Sequence, residues 1–228
     1  IGNLRESCNL LEFKSIDKIG NKEEKNKNCF YVDKTPPVIE KTIGDPKILC
    51  KDVNDPNCAY YVTKQTPITL TCRDQLPHPS NDVTIHWKIK VDGNGNGLGD
   101  DSAEEFSQKV EQVTFLFKEN SLHELEYWCT DAVSKSSEHF FEIDKVDSEP
   151  PVITKTMLGT AGEDYSGQCP PKNQGDKCYV ADNGIGGVHV SVIDPNPIHS
   201  VDRVSCKYEM FLDGGLIDSG VFTDEKDI

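Results

Sequence analysis

Hydrophobic and polar residues alternate along several short segments of the chain. From 83 to 91 the odd positions carry Val, Ile, Trp, Ile and Val, whereas the even positions carry Thr, His and two Lys residues. The segments 68–73 and 125–130 alternate in the same way. Alternation of this kind is typical of a β-strand with one buried and one solvent-facing side. Pro, Gly and Asn separate the segments and no helical periodicity links them, so the pattern predicts an all-β chain.

One phrase of the sequence occurs twice, 114 residues apart. DKTPPVIEKTIG at 33–44 returns as DSEPPVITKTML at 147–158, with seven identical residues in an alignment without gaps. At the same offset, LEFKSID at 11–17 matches LEYWCTD at 125–131. Self-similarity at a fixed period indicates a repeated structural module.

The repeat divides the chain into three parts. VSCKYEMFLDG at 204–214 lies over VTIHWKIKVDG at 83–93, and the chain then reaches 228 before any counterpart of LEYWCTD. We therefore expect a complete module at 36–149, the N-terminal strands of another module at 150–228, and the C-terminal strands of a third at 1–35.

The two partial pieces fit each other, because together they have the length of the complete module. A two-layered β fold cut after its fifth strand would expose its core and an open sheet edge. We therefore expect residues 150–228 of one unit to be completed by residues 1–35 of the next, through strand exchange between subunits or along one longer polypeptide. Head-to-tail contacts that do not close make fibres. Excision from a multidomain protein and self-completion within one chain are the alternatives.

Four residues of the complete module fall on core-facing positions: Cys72, Trp87, Tyr127 and Cys129. A Cys on an early strand, a Trp on the next and then Tyr-x-Cys is the immunoglobulin arrangement. The fold class we predict is therefore tandem immunoglobulin-like β-sandwich modules with a 114-residue period. The arrangement implies a Cys72–Cys129 disulfide, worth roughly 4 kcal/mol of unfolding free energy, and a tyrosine corner at Tyr127. Two unpaired thiols in a generic sandwich are the alternative.

The other cysteines have local partners or none. Cys50 and Cys58 flank an Asp-Pro turn, and Cys169 and Cys178 stand at the matching place in the second copy, so each pair is predicted to form a loop disulfide, with metal ligation as the alternative. Nine cysteines without a C-x-x-C motif predict disulfides and an oxidising, extracellular compartment.

Three cysteines remain: Cys8, Cys29 and Cys206. In the simpler pairing Cys8 bonds to Cys29 and Cys206 stays a buried thiol. In the alternative, Cys206 bonds to Cys8 or Cys29 of the next unit and links the units covalently.

The D-x-[TE]-P-P-V-I linker, followed about 90 residues later by LEYWCTDAVSK, resembles tandem Ig-like modules of prokaryotic cell-surface proteins. Large archaeal surface proteins and adhesins are the closest in kind, and the resemblance covers essentially the whole chain. It implies an extracellular stalk, sheath or adhesive fibre without catalysis. Val192 and Ser15 depart from the pattern, because they stand at the two inter-sheet Cys positions of the composite module.

The charge balance narrows the range of partners. The chain has 39 acidic and 24 basic residues, for a net charge of −15. Nucleic acid and anionic membranes both require a positive surface, so neither is expected as a partner. No apolar run is long enough to insert into a membrane.

The loop after Val91 reads DGNGNGLGDDSAEE and has the spacing of an EF-type calcium loop. Hard oxygen ligands two residues apart can converge on one ion where glycines allow the tight turn. Position twelve is Ala rather than Glu, so a later Glu must substitute, and a Gly/Asn hairpin tip without an ion is the alternative. The predicted Ca²⁺ ligands are Asp92, Asn94, Asn96, Asp100 and Glu104.

A second set of acidic residues lies near the predicted module ends and is expected to bind Ca²⁺ between modules, or to serve only as turn residues: Asp17, Asp33, Asp131 and Asp147. No catalytic motif occurs, and His78 and His86 are not placed like a catalytic base beside a nucleophile, so an enzyme is not expected.

These observations predict a non-catalytic extracellular structural protein. It would be the repeating Ig-like unit of a surface filament, sheath or array, with copies of itself or neighbouring Ig-like modules as partners. The alternative is an adhesin or carbohydrate-binding stalk segment excised from a longer surface protein.

Overall fold

The chain is almost entirely β-structure. A computed structural model describes residues 4–53, 56–75, 82–94, 101–158, 187–195, 204–223 and 225–227. Within these ranges there are sixteen strands and one 3-10 turn at Cys50–Val53, without an α-helix, which confirms the predicted all-β class. The described part of the chain contains no helix with the length and apolar character needed to cross a bilayer.

Two compact units form, the first from residues 1–49 and 56–146 and the second from residues 50–55 and 147–228. A six-stranded sheet dominates the first unit. All neighbours in it are antiparallel except the second and third strands, which are parallel. In spatial order its strands are β4 (Lys47–Leu49), β5 (Tyr60–Val62), β11 (Phe140–Val146), β10 (Leu122–Thr130), β7 (Thr84–Asp92) and β8 (Ser102–Gln108).

A three-stranded antiparallel sheet completes the core of the first unit. It consists of β3 (Val38–Ile43), β6 (Ile68–Arg73) and β9 (Gln112–Phe115), in that order. Ile39 lies opposite Cys72 across the first pair.

Alternate residues of both sheets form one hydrophobic cluster, as the period of two predicts. Ile85 is fully buried and Trp87 is 3% exposed, with its ring stacked against those of Phe106 and Phe115. A disulfide joins Cys72 on β6 to Cys129 on β10, with 6.3 Å between their Cα atoms. The core therefore lies between the sheets and is tied across by this bond.

A separate hairpin at the start of the first unit is made by β1 (Ser7–Phe13) and β2 (Asn26–Val32). Ser7 lies opposite Val32 and Phe13 opposite Asn26, so every residue of both strands is paired. A disulfide joins Cys8 to Cys29 diagonally across the ladder. The two strands form a sheet of their own.

The described residues of the second unit form two small antiparallel sheets. One has the order β12 (Val152–Leu158), β13 (Gly187–Ile193), β16 (Glu225–Asp227). The other is the hairpin of β14 (Cys206–Leu212) and β15 (Gly215–Phe222). Its two-residue turn has Asp213 and Gly214 at φ values of 48° and 82°. Positive φ at both positions defines the type I′ turn that matches strand twist, and Asp-Gly is a favoured sequence for it.

One charged residue is buried on the core side of β3. Lys41 lies between Ile39 and Ile43 on the same face of the strand, and its side chain is only 4% exposed. Its ammonium group contacts the carboxylate of Glu142 and lies 3.1 Å from Oδ2 of the fully buried Asp144. Burial raises the pKa of Asp144, and the charge of Lys41 opposes that rise.

Tyr127 joins this buried network instead of forming the predicted tyrosine corner. Its hydroxyl donates to Oε1 of Glu142 at 3.2 Å, whereas a tyrosine corner would donate to the backbone. Burial, followed by the charge of Glu142, raises the pKa of the Tyr127 hydroxyl. The residue therefore remains a hydrogen-bond donor to this carboxylate.

We predict that Lys41→Met destabilises the first unit by about 3–5 kcal/mol at pH 7, because it leaves a buried carboxylate without its cation. The folded pKa of Asp144 lies above its unfolded value, so its contribution to stability is fully present below the unfolded pKa and is lost as pH rises through the folded pKa. Protonated Asp144 needs no cation, so the loss should shrink towards pH 4. Denaturant unfolding followed by tryptophan fluorescence measures this, since both tryptophans, Trp87 and Trp128, lie in the first unit.

The control for this prediction is the double variant Lys41→Met/Asp144→Asn, which removes the buried charge together with its partner. It should lose clearly less stability than Lys41→Met at pH 7. Equal losses in the two variants, or a Lys41→Met loss that does not change with pH, would show that the buried charge is not the cause.

Candidate functional site

The β1–β2 hairpin exposes large apolar side chains. Leu10 and Leu11 are adjacent on β1 and are 61% and 52% exposed. Phe13 on β1 and Phe30 and Tyr31 on β2 are exposed as well. An isolated two-stranded hairpin is marginally stable, and clustered exposed apolar residues often mark an interaction surface. The Cys8–Cys29 disulfide supplies a covalent restraint that such a hairpin otherwise lacks.

The β14–β15 hairpin of the second unit has the same character. Its exposed apolar residues are Met210, Phe211, Leu212, Leu216, Ile217 and Val221. At its other end, the ring of Tyr208 lies over Gly220, so close that a Cβ there would be 2.6 Å from Tyr208 Cε1. A side chain at position 220 would force the Tyr208 ring out of its present place.

The cysteines divide into bonded residues and one free thiol among the described positions. Within the single chain Cys8 bonds to Cys29, and Cys206 is a buried free thiol. Cys50 and Cys58 are both disulfide-bonded. The predicted pair Cys169 and Cys178 lies outside the described residues.

The predicted calcium loop is described only at its two ends. Asp92 is 1% exposed at the end of β7, and Glu104 lies within β8, where both its carboxylate oxygens accept from Lys118 at 2.8 and 3.0 Å. Asn96 and Asp100 lie outside the described residues. The calcium loop therefore stays a prediction.

Asp101, which the sequence analysis did not predict as a site residue, accepts hydrogen bonds from the first residues of this loop. Oδ2 of Asp101 accepts from the backbone N–H groups of Gly93 and Asn94 at 2.6 and 2.8 Å. Its Oδ1 accepts from the side-chain amide of Asn94 at 2.6 Å. The only sequence signal was the position of Asp101 beside a predicted ligand, which does not distinguish an ion ligand from a turn-closing acceptor.

Three aspartates from different segments meet in the first unit. Asp33 follows β2, Asp74 follows β6 and Asp131 follows β10. One carboxylate oxygen from each lies within 4.8 Å of the others. Asp33 and Asp131 were both predicted as ligands near module ends. Asp74 was not, although its sequence match to Asp194 in the second copy was a signal.

The three carboxylates of this aspartate cluster differ in their surroundings. Asp131 is 6% exposed; its Oδ1 accepts from the backbone N–H groups of Val133 and Lys135, and its buried Oδ2 has no hydrogen-bond partner. The pKa of Asp33 is raised, first by burial and then by the charges of Asp74 and Asp131. Asp17 and Asp147, the other predicted ligands, are not part of the cluster.

The outer face of the six-stranded sheet carries an aromatic stack. The ring of Trp128 on β10 stacks on His86 from β7 at 5.2 Å and on His139, next to β11, at 4.4 Å. Because β10 lies between β7 and β11, the two histidines flank the indole on opposite sides. Burial lowers the pKa of His86, which is held by Thr130 and Ser107 at 3.0 and 3.1 Å.

A groove of about 450 Å³ lies further along this outer face. It is lined by side chains of both charges, including Lys88, Lys90, Glu124 and Glu126. Lys90 and Glu124 are themselves an ion pair at 3.3 Å. The groove therefore presents no single charge to a ligand.

We predict that Asp101→Ala lowers the unfolding free energy of the first unit by about 1–3 kcal/mol, because three donors lose a charged acceptor. Asp101→Asn keeps an acceptor oxygen without the charge, so its unfolding free energy should lie between those of the wild type and Asp101→Ala. Tryptophan fluorescence during denaturation gives both values. An unchanged unfolding midpoint in Asp101→Ala would show that these hydrogen bonds do not hold the loop.

The chain matches no protein-family model and no curated protein. Its function therefore has to be inferred from its own residues and their geometry.

Proposed function

We propose that this chain is a non-catalytic extracellular structural protein, built from Ig-like β-sandwich modules with a 114-residue period. In this proposal the strands at 150–228 form a module only when residues 1–35 of a second copy are added. Repetition of that contact gives a head-to-tail filament, sheath or array.

The observation that carries the proposal is the pairing register of the two hairpins. β10 and β11 pair Leu122 with Lys145 at one end and Tyr127 with Phe140 at the other. A shift of 114 residues turns these pairs into Cys8 with Tyr31 and Phe13 with Asn26, which are pairs of β1 and β2. A strand register is defined to a single residue, so this agreement supports a common module design.

The turns after β1 and β10 agree in the same way. The isolated bridge between Thr130 and Ser136 becomes the bridge between Ile16 and Lys22 after the same shift. Asp131 accepts from the second and fourth N–H groups after it, and Asp17 accepts from the N–H groups of Ile19 and Asn21. These repeated backbone contacts support the assignment of residues 1–35 as the end of a module.

The second unit repeats the strands that begin a module. β12, β13 and β16 follow the order of β3, β6 and β9, with Ile153 opposite Val192 as Ile39 is opposite Cys72. The β14–β15 hairpin corresponds to β7 and β8. Among the described residues of the second unit, no strand stands where β10 and β11 stand in the first.

The β1–β2 hairpin of a second copy supplies these strands. By analogy with the β7–β10 pair, where Trp87 lies opposite Tyr127, β1 would lie beside β14 with Phe13 opposite Tyr208 and Leu11 opposite Met210. In the first unit the aligned residues Leu125 and Tyr127 are at most 4% exposed.

The energetics favour this contact. Covering an apolar side chain contributes about 1.5–3 kcal/mol, and the edges of β1 and β14 that pair with no other described strand would gain a ladder of hydrogen bonds. Several such side chains are needed, because association itself costs on the order of 4–15 kcal/mol. On the side that this contact would cover, β1 carries Leu11 and Phe13 and β14 carries Met210, all exposed in the single chain, and their burial works against that cost.

An extracellular location is part of the proposal. The disulfides of the first unit form and persist in oxidising compartments, and a large negative charge keeps an exported chain soluble before it assembles. Carbohydrate binding, the alternative role, has less support, because both faces of Trp128 are covered by His86 and His139 and so offer no platform to a sugar ring.

We predict that Leu11→Asp weakens assembly by roughly 100-fold or more, since it puts a charge at a position that assembly buries. Leu10→Asp is the matched control: Leu10 is at least as exposed as Leu11 in the single chain but aligns with Glu124 on the solvent side of β10. Analytical ultracentrifugation over a concentration series measures both. Equal behaviour of the two variants, or a wild-type chain that never associates, would overturn the proposal.

A second prediction uses an engineered disulfide. Ser15 and Val192 align with Cys129 and Cys72, so Ser15→Cys/Val192→Cys should form a bond between copies when oxidised glutathione accepts the electrons of the two thiols. The background is Cys206→Ser, which removes the natural thiol. Non-reducing electrophoresis should show a ladder that collapses to one band with reductant.

Ser191→Cys replaces Val192→Cys in the control, because Ser191 lies on the other face of β13. It should give no ladder. A bond formed only within single chains would favour self-completion over assembly, and the absence of any new bond would contradict the proposed contact.

A further inference from the structure

We propose that Asp33, Asp74 and Asp131 bind one hard divalent cation of the Ca²⁺ class. The site lies wholly within the first unit, so it does not depend on assembly.

The geometry suits a single ion. Oxygens bound to one Ca²⁺ at about 2.4 Å can be at most about 4.8 Å apart, and one oxygen from each of the three aspartates meets this limit. The three residues come from segments far apart in the sequence, so the folded unit, rather than a local loop, brings them together. Water would complete the six to eight ligands that Ca²⁺ takes.

The buried carboxylate of Asp131 is the second, independent observation. Buried polar atoms nearly always have a hydrogen-bond partner, yet Oδ2 of Asp131 has none. Its Oδ1 is already held by the N–H groups of Val133 and Lys135 at 2.9 and 2.8 Å. This arrangement fixes the side chain and leaves one anionic oxygen, on a residue that is 6% exposed, for a cation to satisfy.

The other two carboxylates are also held through Oδ1. Asp33 accepts from the N–H of Thr35 at 3.0 Å, and Asp74 accepts from the N–H of Gln75 at 2.9 Å. Three like charges at this spacing repel one another. A bound dication removes the repulsion.

The ligand chemistry selects the class of metal. All three ligands are carboxylates, without the His or Cys side chains that zinc and copper sites use. The ion would tie the segment that follows the β1–β2 hairpin to the ends of β6 and β10. Cation binding should therefore stabilise the first unit as well as fill a site.

Calcium titration calorimetry on chelator-treated protein tests the proposal. The wild-type chain should bind Ca²⁺ with a dissociation constant on the order of 10⁻⁴–10⁻³ M, the range of extracellular modules. Asp131→Asn should weaken this site at least tenfold, since it removes a charge but keeps the Oδ1 acceptor. Ca²⁺ should also raise the first unit's unfolding temperature, measured by tryptophan fluorescence, in the wild type but not in Asp131→Asn. A separate titration with Mg²⁺ in place of Ca²⁺ measures whether the site prefers one of the two ions.

Two controls distinguish the aspartate cluster from carboxylates elsewhere in the chain. Asp17→Asn changes a carboxylate with the same two backbone hydrogen bonds outside the cluster, and should leave Ca²⁺ binding unchanged. Asp100→Asn tests the predicted loop at 92–104, and should remove no binding from the aspartate cluster.

Repeating the titration on Leu11→Asp makes the result independent of assembly, so the cation site and the proposed function can fail separately. The proposal is overturned if neither ion binds up to about 10 mM, tenfold above the weakest expected constant. It is also overturned if Asp131→Asn binds like the wild type, or if Asp100→Asn abolishes all binding.

Discussion

The contact between β7 and β10 is the interaction on which the first unit depends. It places Trp87 beside Tyr127 and gives Ile85 and Leu125 a covered face, and the Cys72–Cys129 bond ties β10 to the opposing sheet. A sheet needs a covered apolar face to be stable in water, and an open edge next to exposed apolar residues invites pairing with another strand. Among the described residues of the second unit, β14 pairs with β15 alone, and Met210, Phe211 and Leu212 on β14 are exposed. The proposed assembly follows from that difference.

Much of the fold was predictable from the sequence where burial and period coincide. The alternation from Val83 to Val91 identified the core-facing residues of β7, because side chains on a half-buried strand must alternate. Lys41 breaks the rule: it occupies an inward position between Ile39 and Ile43, and only the folded structure shows the acidic partners on β11 that make its burial possible.

The candidate site was predictable only in part. Asp33 and Asp131 were predictable as candidate ligands because each lies at one end of a repeated phrase. Their convergence with Asp74 depends on how β6 packs beside them, and no local sequence pattern encodes that packing. The role of Asp101 could not be predicted for a different reason, because the local sequence fits two roles equally well. A carboxylate in a Gly-rich loop can bind an ion or close a turn, and the same residue types serve both purposes.

The Cys8–Cys29 disulfide has a consequence for the timing of assembly. It lies on the same side of β1 as Leu10, away from the side that carries Leu11 and Phe13, so it would not obstruct docking. A hairpin closed covalently has already lost much of its conformational entropy, and it binds at a lower entropic cost than a loose one. In a reducing cytosol the hairpin would be frayed and a poor donor of strands. In the proposed extracellular assembly, oxidation after export would make the hairpin competent, and the change in redox environment would confine growth to the outside of the cell.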